Sequence, residues 1–480
     1  MHITTQQEKD ILDLFKKWTS EKLIKIEMLP KSGSNREYYR IWSQTKTAIG
    51  AYNEDRKENI AFLEFSKHFK SKNLNVPEIY AENLDQNIYL QEDLGDETLF
   101  SFLSHARIDD DFSDELVAIY KNVIKEMPKF QINGSEGLDY SKSYPRYSFD
   151  KQSMMWDLHY FKYYFLKLAN ILFDEQELEN DYHKLSDYLL EADSEYFLYR
   201  DFQSRNIMIK DSKPYFIDYQ GGRKGALQYD LASLLYDGKA AIPQPIRIEL
   251  LDFYIEETSK YIPLNAEKFK QYYHGFVFIR IMQAMGAYGF RGFYERKLHF
   301  LKSIPFAINN LEWLLENAKM PIEVPTLMKA LKAVTKSAKL KELGADLEKL
   351  TVHINSFSYK KGIPIDETGN GGGFVFDCRS LPNPGKFDAY KRLTGMDKPV
   401  IEFLDNEPEM QDYLSDIFSI ADKSIQKYMK RKFTNLMVNF GCTGGQHRSV
   451  YSAERLKKYL EGKYNLTIKL RHREQENLFS

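Results

Sequence analysis

The sequence is poor in cysteine, in net charge and in long apolar runs, and each shortage excludes something. Only two cysteines, Cys378 and Cys442, occur in 480 residues. They cannot build a disulfide framework, and so sparse a use fits a reducing compartment. Basic and acidic residues number 67 and 69, for a formal charge of −2. The chain as a whole therefore has no electrostatic pull toward nucleic acid or anionic lipid, and any such binding must come from a local patch. No apolar run is long enough to span a bilayer. The opening stretch MHITTQQEKDILDLFKKW lacks an apolar signal region and reads as an amphipathic helix with Ile11, Leu12, Phe15 and Trp18 on one face. A cytoplasmic protein is expected. Repeats and low-complexity tracts are absent as well.

Hydrophobic residues, by contrast, make up 43% of the chain and aromatics 14%, enough to build proper cores. The length calls for two or three domains. Strand-like runs LIKIEML, EYYRIW and KTAIGAY come first, then a charged helix over 55–71, then NVPEIY and NIYLQEDLG. This pattern predicts a small antiparallel sheet with one helix, and a hinge at 91–96. From 98 to 195 the apolar spacing is helical. EYFLYRDFQSRNIMIKDSKPYFIDYQ reads as a loop with two short strands, and helices continue to 318. Residues 319–350, with prolines at the start and a Lys- and Leu-rich pattern after them, read as a helical linker. From 351 onward, TVHINSFSY, GGFVFDCRSL and TNLMVNFG look like strands, and SVYSAERLKKYLEGKY like a helix. The fold class expected is α+β for residues 1–318, a sheet lobe followed by a mainly helical lobe, and a separate α/β domain over 351–480.

Within the first region, Asp201, Asn206 and Asp218 follow one another in YRDFQSRNIM and FIDYQ. Phosphoryl transfer from ATP needs a carboxylate to orient the attacking hydroxyl and hard oxygen ligands for the Mg²⁺ that bridges the phosphates. Asp201 suits the base, and Asn206 and Asp218 the metal ligands. The text SGSNREYYR, NVPEIYAENL, YRDFQSRNIM, IDYQ and YDLASLLYD resembles the aminoglycoside phosphotransferase and choline kinase family, and within it the anomeric sugar kinases of the AmgK type. The resemblance implies a protein-kinase-like bilobal fold, ATP and Mg²⁺ as cofactors, and phosphorylation of the C1 hydroxyl of N-acetylmuramate or N-acetylglucosamine. It also implies that Asp230 is a structural carboxylate. Two departures stand out: Tyr199 occupies the usual His position, and the strand TAIGAY has no Lys for the nucleotide phosphates. Ser34, Arg36 and Arg40 are candidates for that contact, and Gln220 and Arg223 for the acceptor substrate.

The second region carries VNFGCTGGQHRSV between a predicted strand and a helix. Successive backbone N–H groups can converge there on an anion, the glycines allow close approach, and Arg448 offers a donor fork. Five residues separate Cys442 from Arg448, the spacing of phosphatases with a cysteine nucleophile, so the residues alone leave open whether the loop cleaves a phosphate ester or holds one. Asp405 is the candidate general acid for the first alternative. SFSYKKGIP, FDCRSLPNP, LTGMDKPV, GCTGGQHRSV and RHRE resemble the C-terminal domain of the RapZ family of RNase adapters. That resemblance implies a phosphosugar pocket for glucosamine-6-phosphate, lined by Cys442, Thr443, Gly444, Gly445, His447 and Arg448, with Arg379 and Asn383 nearby. It implies a small RNA and homo-oligomers as partners, and no phosphatase chemistry. The basic clusters for RNA are KYMKRKF at 427–433 and KLRHR at 469–473. The expected protein is thus an amino-sugar kinase joined to a phosphosugar sensor, with a place in peptidoglycan recycling. The alternative is an RNA-binding adapter whose kinase domain is degenerate.

Overall fold

The computed structural model describes residues 5–30, 36–106, 112–348, 350–366, 373–431 and 433–475. It divides into two compact units, Met1–Lys341 and Glu342–Ser480.

The first unit opens with the helix Gln6–Trp18, whose N-cap Thr5 accepts the Glu8 N–H. Its inner face buries Ile11, Leu14 and Phe15 against a five-stranded antiparallel sheet. Leu12, expected on that face, is half-buried, because the stripe runs 11, 14, 15, 18 and leaves position 12 on its flank. The sheet comprises β1 (Lys25–Met28), β2 (Glu37–Trp42), β3 (Thr47–Tyr52), β4 (Ile79–Asn83) and β5 (Ile88–Gln91), in the order β1-β2-β3-β5-β4. Gly50 lets the helix settle on β3, since a Cβ there would meet Ile11 Cγ2 at 2.4 Å. The helix Arg56–Ser71 follows, its Asp55 cap accepting from the amides of Lys57 and Glu58.

Between 195 and 226 the chain forms four very short strands, β6 (Tyr196–Leu198), β7 (Ile207–Lys210), β8 (Lys213–Phe216) and β9 (Arg223–Gly225). They pair as β6 with β9 and β7 with β8. Strands of three or four residues are too short to leave an alternating signature, which is why the sequence suggested only two. Helices Leu99–Ala106, Asp114–Pro128, Lys151–Phe161 and Glu175–Leu189 precede these strands, and Leu227–Leu235, Gln244–Thr258, Ala266–Gly289 and Ile304–Asn317 follow them. The 24-residue Ala266–Gly289 is apolar on nearly every side, as a central helix must be.

Residues 319–350 hold two helices, Pro325–Lys336 and Ala338–Glu348. The first packs on Ile304–Asn317 and Glu175–Leu189, burying Leu327, Ala330, Leu331 and Val334, while the Leu327 N–H donates to the Asp181 carboxylate (2.9 Å). At about 1.5–3 kcal/mol for each large apolar side chain buried, this helix is an integral part of the first unit.

The second unit is built on a parallel sheet of β10 (Thr351–Ser358), β11 (Gly373–Asp377), β12 (Asn435–Cys442) and β13 (Thr467–His472), in the order β11-β12-β10-β13. Parallel pairing requires crossovers, supplied by Lys398–Asp405 with Pro408–Lys430 and by Arg448–Lys463. Val352, Ile354, Val438 and Phe440 from the central strands meet Ile417, Leu456 and Leu460 from the helices in one core. The connections leave β10 and β12 in opposite directions, and the crevice so opened lies at the carboxyl ends of those strands.

Candidate functional site

In the first unit, β6, a short turn Ser204–Asn206 and the β7–β8 hairpin position the motif residues. Arg200 (φ 84°) and Asp218 (φ 70°) both adopt left-handed backbone, which costs on the order of 1 kcal/mol or more each and persists only where the surroundings hold it. The holding groups are clear. Arg200 donates to both carboxylate oxygens of Asp157 (2.7 and 2.6 Å) and to the Tyr229 hydroxyl (2.6 Å). Asp230 accepts the amides of Tyr199 (2.8 Å) and Arg200 (3.0 Å) and Nε2 of Gln131 (3.3 Å). Burial pushes the Asp230 carboxyl up to about 7 in spite of these donors.

Asn206 brings the triplet together. Its Nδ2 donates to the Asp201 carbonyl (2.8 Å) and to Asp218 Oδ2 (3.1 Å). Burial, and then the Asp201 charge, push the Asp218 carboxyl above its ordinary range, while Gln220, Arg36 and Arg205 work against them. A half-buried carboxylate facing a second carboxylate is a place where a cation lowers the free energy. No group of three or more His, Cys, Asp or Glu gathers as a metal cage among the described residues. One carboxylate and one amide oxygen fit Mg²⁺ instead, which typically keeps its waters and shares its remaining positions with substrate phosphates.

Glu58, in the first turn of Arg56–Ser71, is the residue that the sequence reading missed. Arg36 is 4% exposed, and its Nη2 lies 3.2 Å from Glu58 Oε1. Gln220 Nε2 donates to both Glu58 Oε1 (3.2 Å) and Asp218 Oδ1 (2.8 Å), so Arg36, Glu58, Gln220 and Asp218 form one connected line. A signal for Glu58 was present. Where a kinase strand carries a phosphate-binding Lys, the next helix carries a Glu to pair with it, so an absent Lys directs attention to the carboxylates of that helix.

The other predicted residues are placed differently. Arg40 ties β2 to the segment after β5, through Asp93 (2.9 Å), Asp96 (2.8 and 3.0 Å) and the Gly95 carbonyl (3.1 Å). Ser34 lies outside the described residues. Arg223 is buried and its Nε donates to the Gly221 carbonyl (3.0 Å); burial, and then the neighbouring Arg200 charge, press its guanidinium down to about 10.

In the second unit, the loop from Cys442 to Arg448 lies where β12 gives way to the helix Arg448–Lys463, in the crevice at the strand ends. Cys442 Sγ accepts the Gly445 N–H (3.2 Å) and faces Ser449 Oγ (3.2 Å). Burial pushes this thiol up, but the Ser449 hydroxyl and the amides of Ser449, Gly445 and Gln446 together hold it below the ordinary thiol range. Gly445 (φ 67°) is irreplaceable, because a Cβ would meet Glu474 Cγ at 2.4 Å and the Ser358 nitrogen at 2.9 Å. At Gly444 a Cβ would enter open space. The Thr443 carbonyl accepts from Ser358 Oγ (2.8 Å).

The flanking residues serve as walls. Arg448 Nη1 donates to the carbonyls of Arg379 (2.8 Å) and Leu381 (2.9 Å), and its buried Nε has no acceptor among the described residues. His447 Nε2 meets the Tyr390 carbonyl (2.8 Å), and its ring faces Gly385. Asn383 caps the turn at Gly385 (3.2 Å). Arg379 is paired with Asp377 (2.6 Å) and lies over the Tyr359 ring (4.0 Å). Asp405 is engaged by Arg455 and the Tyr451 hydroxyl, on the helix beyond the loop.

Residues 25–264 match the model of the phosphotransferase enzyme family, and residues 350–476 match that of the RapZ C-terminal domain. A nucleotide-binding protein of Acinetobacter baylyi is 41% identical over 138 residues, which is 29% of this chain and 46% of that protein. One of Cupriavidus taiwanensis is 43% identical over 129 residues, 27% of this chain and 42% of that protein. The chain thus spans less than half the length of these curated relatives. Among solved structures, choline kinase LicA from Streptococcus pneumoniae aligns with a TM-score of 0.43 and 15% identity, over 69% of this chain and all of that one. Amicoumacin kinase hAmiN, in complex with AMP-PNP and Ca²⁺, aligns with a TM-score of 0.42 and 12% identity, over 72% of this chain and 96% of that one.

Proposed function

We propose, from the premise that this chain belongs to the phosphotransferase enzyme family, that its first unit transfers the γ-phosphoryl group of ATP to a sugar hydroxyl. The acceptor is the anomeric C1 hydroxyl of N-acetylmuramate or N-acetylglucosamine, and the reaction belongs to the cytosol, where amino sugars recovered from peptidoglycan re-enter metabolism. The observation that carries the reading is the Asn206 amide, which bridges Asp201 and Asp218 in one cluster. Asp201 accepts the proton of the attacking hydroxyl as its oxygen bonds to the γ-phosphorus and the bond to the β-phosphate oxygen breaks, releasing ADP. Asp218 and the side-chain amide oxygen of Asn206 would hold Mg²⁺, which would supply charge neutralisation at the phosphates. Arg36, held by Glu58, takes the place of the missing lysine at the nucleotide phosphates. Incubating the protein with ATP and a sugar panel, and locating the new phosphate by ³¹P NMR, tests the reading. Absence of a sugar 1-phosphate would sink it.

The second unit, on the same proposal, binds a phosphorylated amino sugar at the Cys442–Arg448 loop, with Thr443 and Gly444 at its open side and Arg448 Nε as an unfilled donor. Cys442 lines this site and does not attack: Asp405, the candidate acid, is held elsewhere by Arg455. Titration of the full chain with glucosamine-6-phosphate tests this, and no heat of binding would remove it. One observation favours a second partner. Lys469 and Arg471 alternate on the exposed side of the strand β13, at the edge of its sheet, as a phosphate-backbone contact to RNA would use them. Filter binding with RNA across salt concentrations separates the two, because only RNA binding has a steep salt slope.

A further inference from the structure

Side chains alternate along β2, and Tyr39 and Ile41 pack with Ile11 and Phe15 of the first helix. Tyr38 therefore points to the other face of the sheet, together with Arg36, whose Nη1 donates to the Tyr38 hydroxyl (3.2 Å). Arg40, also on that face, fixes the far end of the row to Asp93 (2.9 Å) and Asp96 (2.8 Å). Tyr38 is half-buried. Desolvation pushes its phenol above the ordinary range, the neighbouring Arg36 charge pulls it down, and the Asp218 and Glu58 charges push it up again. The hydroxyl thus keeps its proton at neutral pH, and it lies in the fields of Glu58 and Asp218, the two carboxylates that Gln220 ties together. Among the described residues that proton has no acceptor. A ligand that displaces water from this place has to offer the donor an oxygen or leave it unmatched, which is costly.

We propose that this oxygen belongs to a phosphate of the nucleotide, so that Tyr38 is a further nucleotide-binding residue and Arg36 acts on ATP in part through it. The proposal rests on the ATP reading above and adds a residue to it. The lysine that this chain lacks would present three N–H donors to the phosphates. Arg36 has one terminal nitrogen facing Glu58 and the other on the Tyr38 hydroxyl, so less of its fork is left for a phosphate. The phenol passes the interaction on. A hydroxyl that accepts from a cation is the stronger donor for it, because hydrogen bonds in a chain polarise one another.

The test uses the full chain with Mg²⁺, and ATP and adenosine as ligands. The Kd for each is measured by calorimetry with wild type and with Tyr38→Phe, which keeps the ring and removes the hydroxyl. Losing a hydrogen bond to a charged group should weaken ATP binding by roughly 10- to 100-fold, while the Kd for adenosine, which carries no phosphate, should change by less than about twofold. An unchanged Kd for ATP, an equal loss for both ligands, or a wild type that binds no ATP would overturn the proposal. A measurement on the wild type stands even if the variant fails to fold. Nitration with tetranitromethane followed by peptide mass mapping should find Tyr38 protected by ATP and not by adenosine, and equal nitration with and without ATP would also overturn the proposal. ATP binding that depends on the hydroxyl, with no sugar phosphorylated, would leave this contact standing and remove the sugar-kinase reading. A sugar 1-phosphate formed by Tyr38→Phe with the wild-type Kd for ATP would do the reverse.

Discussion

Replacing Glu58 by Gln tests the line that runs from Arg36 to Asp218. The Arg36 and Glu58 charges lie 3.2 Å apart, and their side chains are 4% and 30% exposed. At an effective dielectric of about 20, unit charges at that distance attract by roughly 5 kcal/mol. Desolvation of Arg36 cancels much of this, and water reaching the partly exposed Glu58 screens more. Breaking a fully buried pair costs about 3–5 kcal/mol; with that screening, and with a Gln carbonyl still able to accept a hydrogen bond, we expect a loss of about 2 kcal/mol in unfolding free energy. Catalysis should suffer more. Arg36 would lose its aim at the charge that develops on the transferring phosphoryl group, so kcat should fall by roughly 10- to 100-fold while the KM for ATP changes by less than about threefold. Urea unfolding followed by tryptophan fluorescence gives the first quantity, and steady-state ADP release gives the second. A variant that is destabilised but keeps kcat within about twofold of wild type would refute the phosphate role of Arg36 and leave the pair purely structural.

Three further outcomes are expected. Asp201→Asn should lower kcat by roughly 100-fold or more while ATP binding persists, and an unchanged rate would remove Asp201 as the base. Cys442→Ser should retain phosphosugar binding within a few-fold, and if the wild type hydrolyses a phosphate ester that this variant cannot, the loop is a phosphatase after all. The Asp230 carboxyl, raised by burial from 3.8 to about 7, keeps its proton in the folded state over a range where the unfolded chain has lost it. Stability therefore falls as pH rises from about 4 to about 7, by up to about 4 kcal/mol, and levels off above that. Asp230→Asn should flatten this slope in melting temperatures measured between pH 5 and pH 8, and an identical slope in the variant would show that Asp230 stays ionised in the folded protein.

Some of this is legible in the sequence alone. Asp201, Asn206 and Asp218 fall within eighteen residues of one another, joined by a turn and two strands too short to arrange themselves in many ways. Their spacing therefore implied their proximity. The same holds for the loop from Cys442 to Arg448, where a buried strand, two glycines and a helix start leave the backbone few conformations. The four short strands around the motif were only half visible, because three residues carry no period.

Composition, the alternation of EYYRIW and TVHINSFS and the two motifs thus determined the two-part architecture and its two candidate centres. Local backbone preference depends on neighbouring residues and can be read from them, although the left-handed Arg200 is held by the distant Asp157 and Asp230. Only the tertiary structure decided which distant side chains complete those centres. Glu58 reaches Arg36 across 22 residues and Gln220 across 162. Arg448, a free donor fork by its type, is instead spent in part on two carbonyls of another segment. Such pairings follow from the burial of whole faces, and a buried charge takes whatever partner packing leaves within reach, which no local pattern specifies.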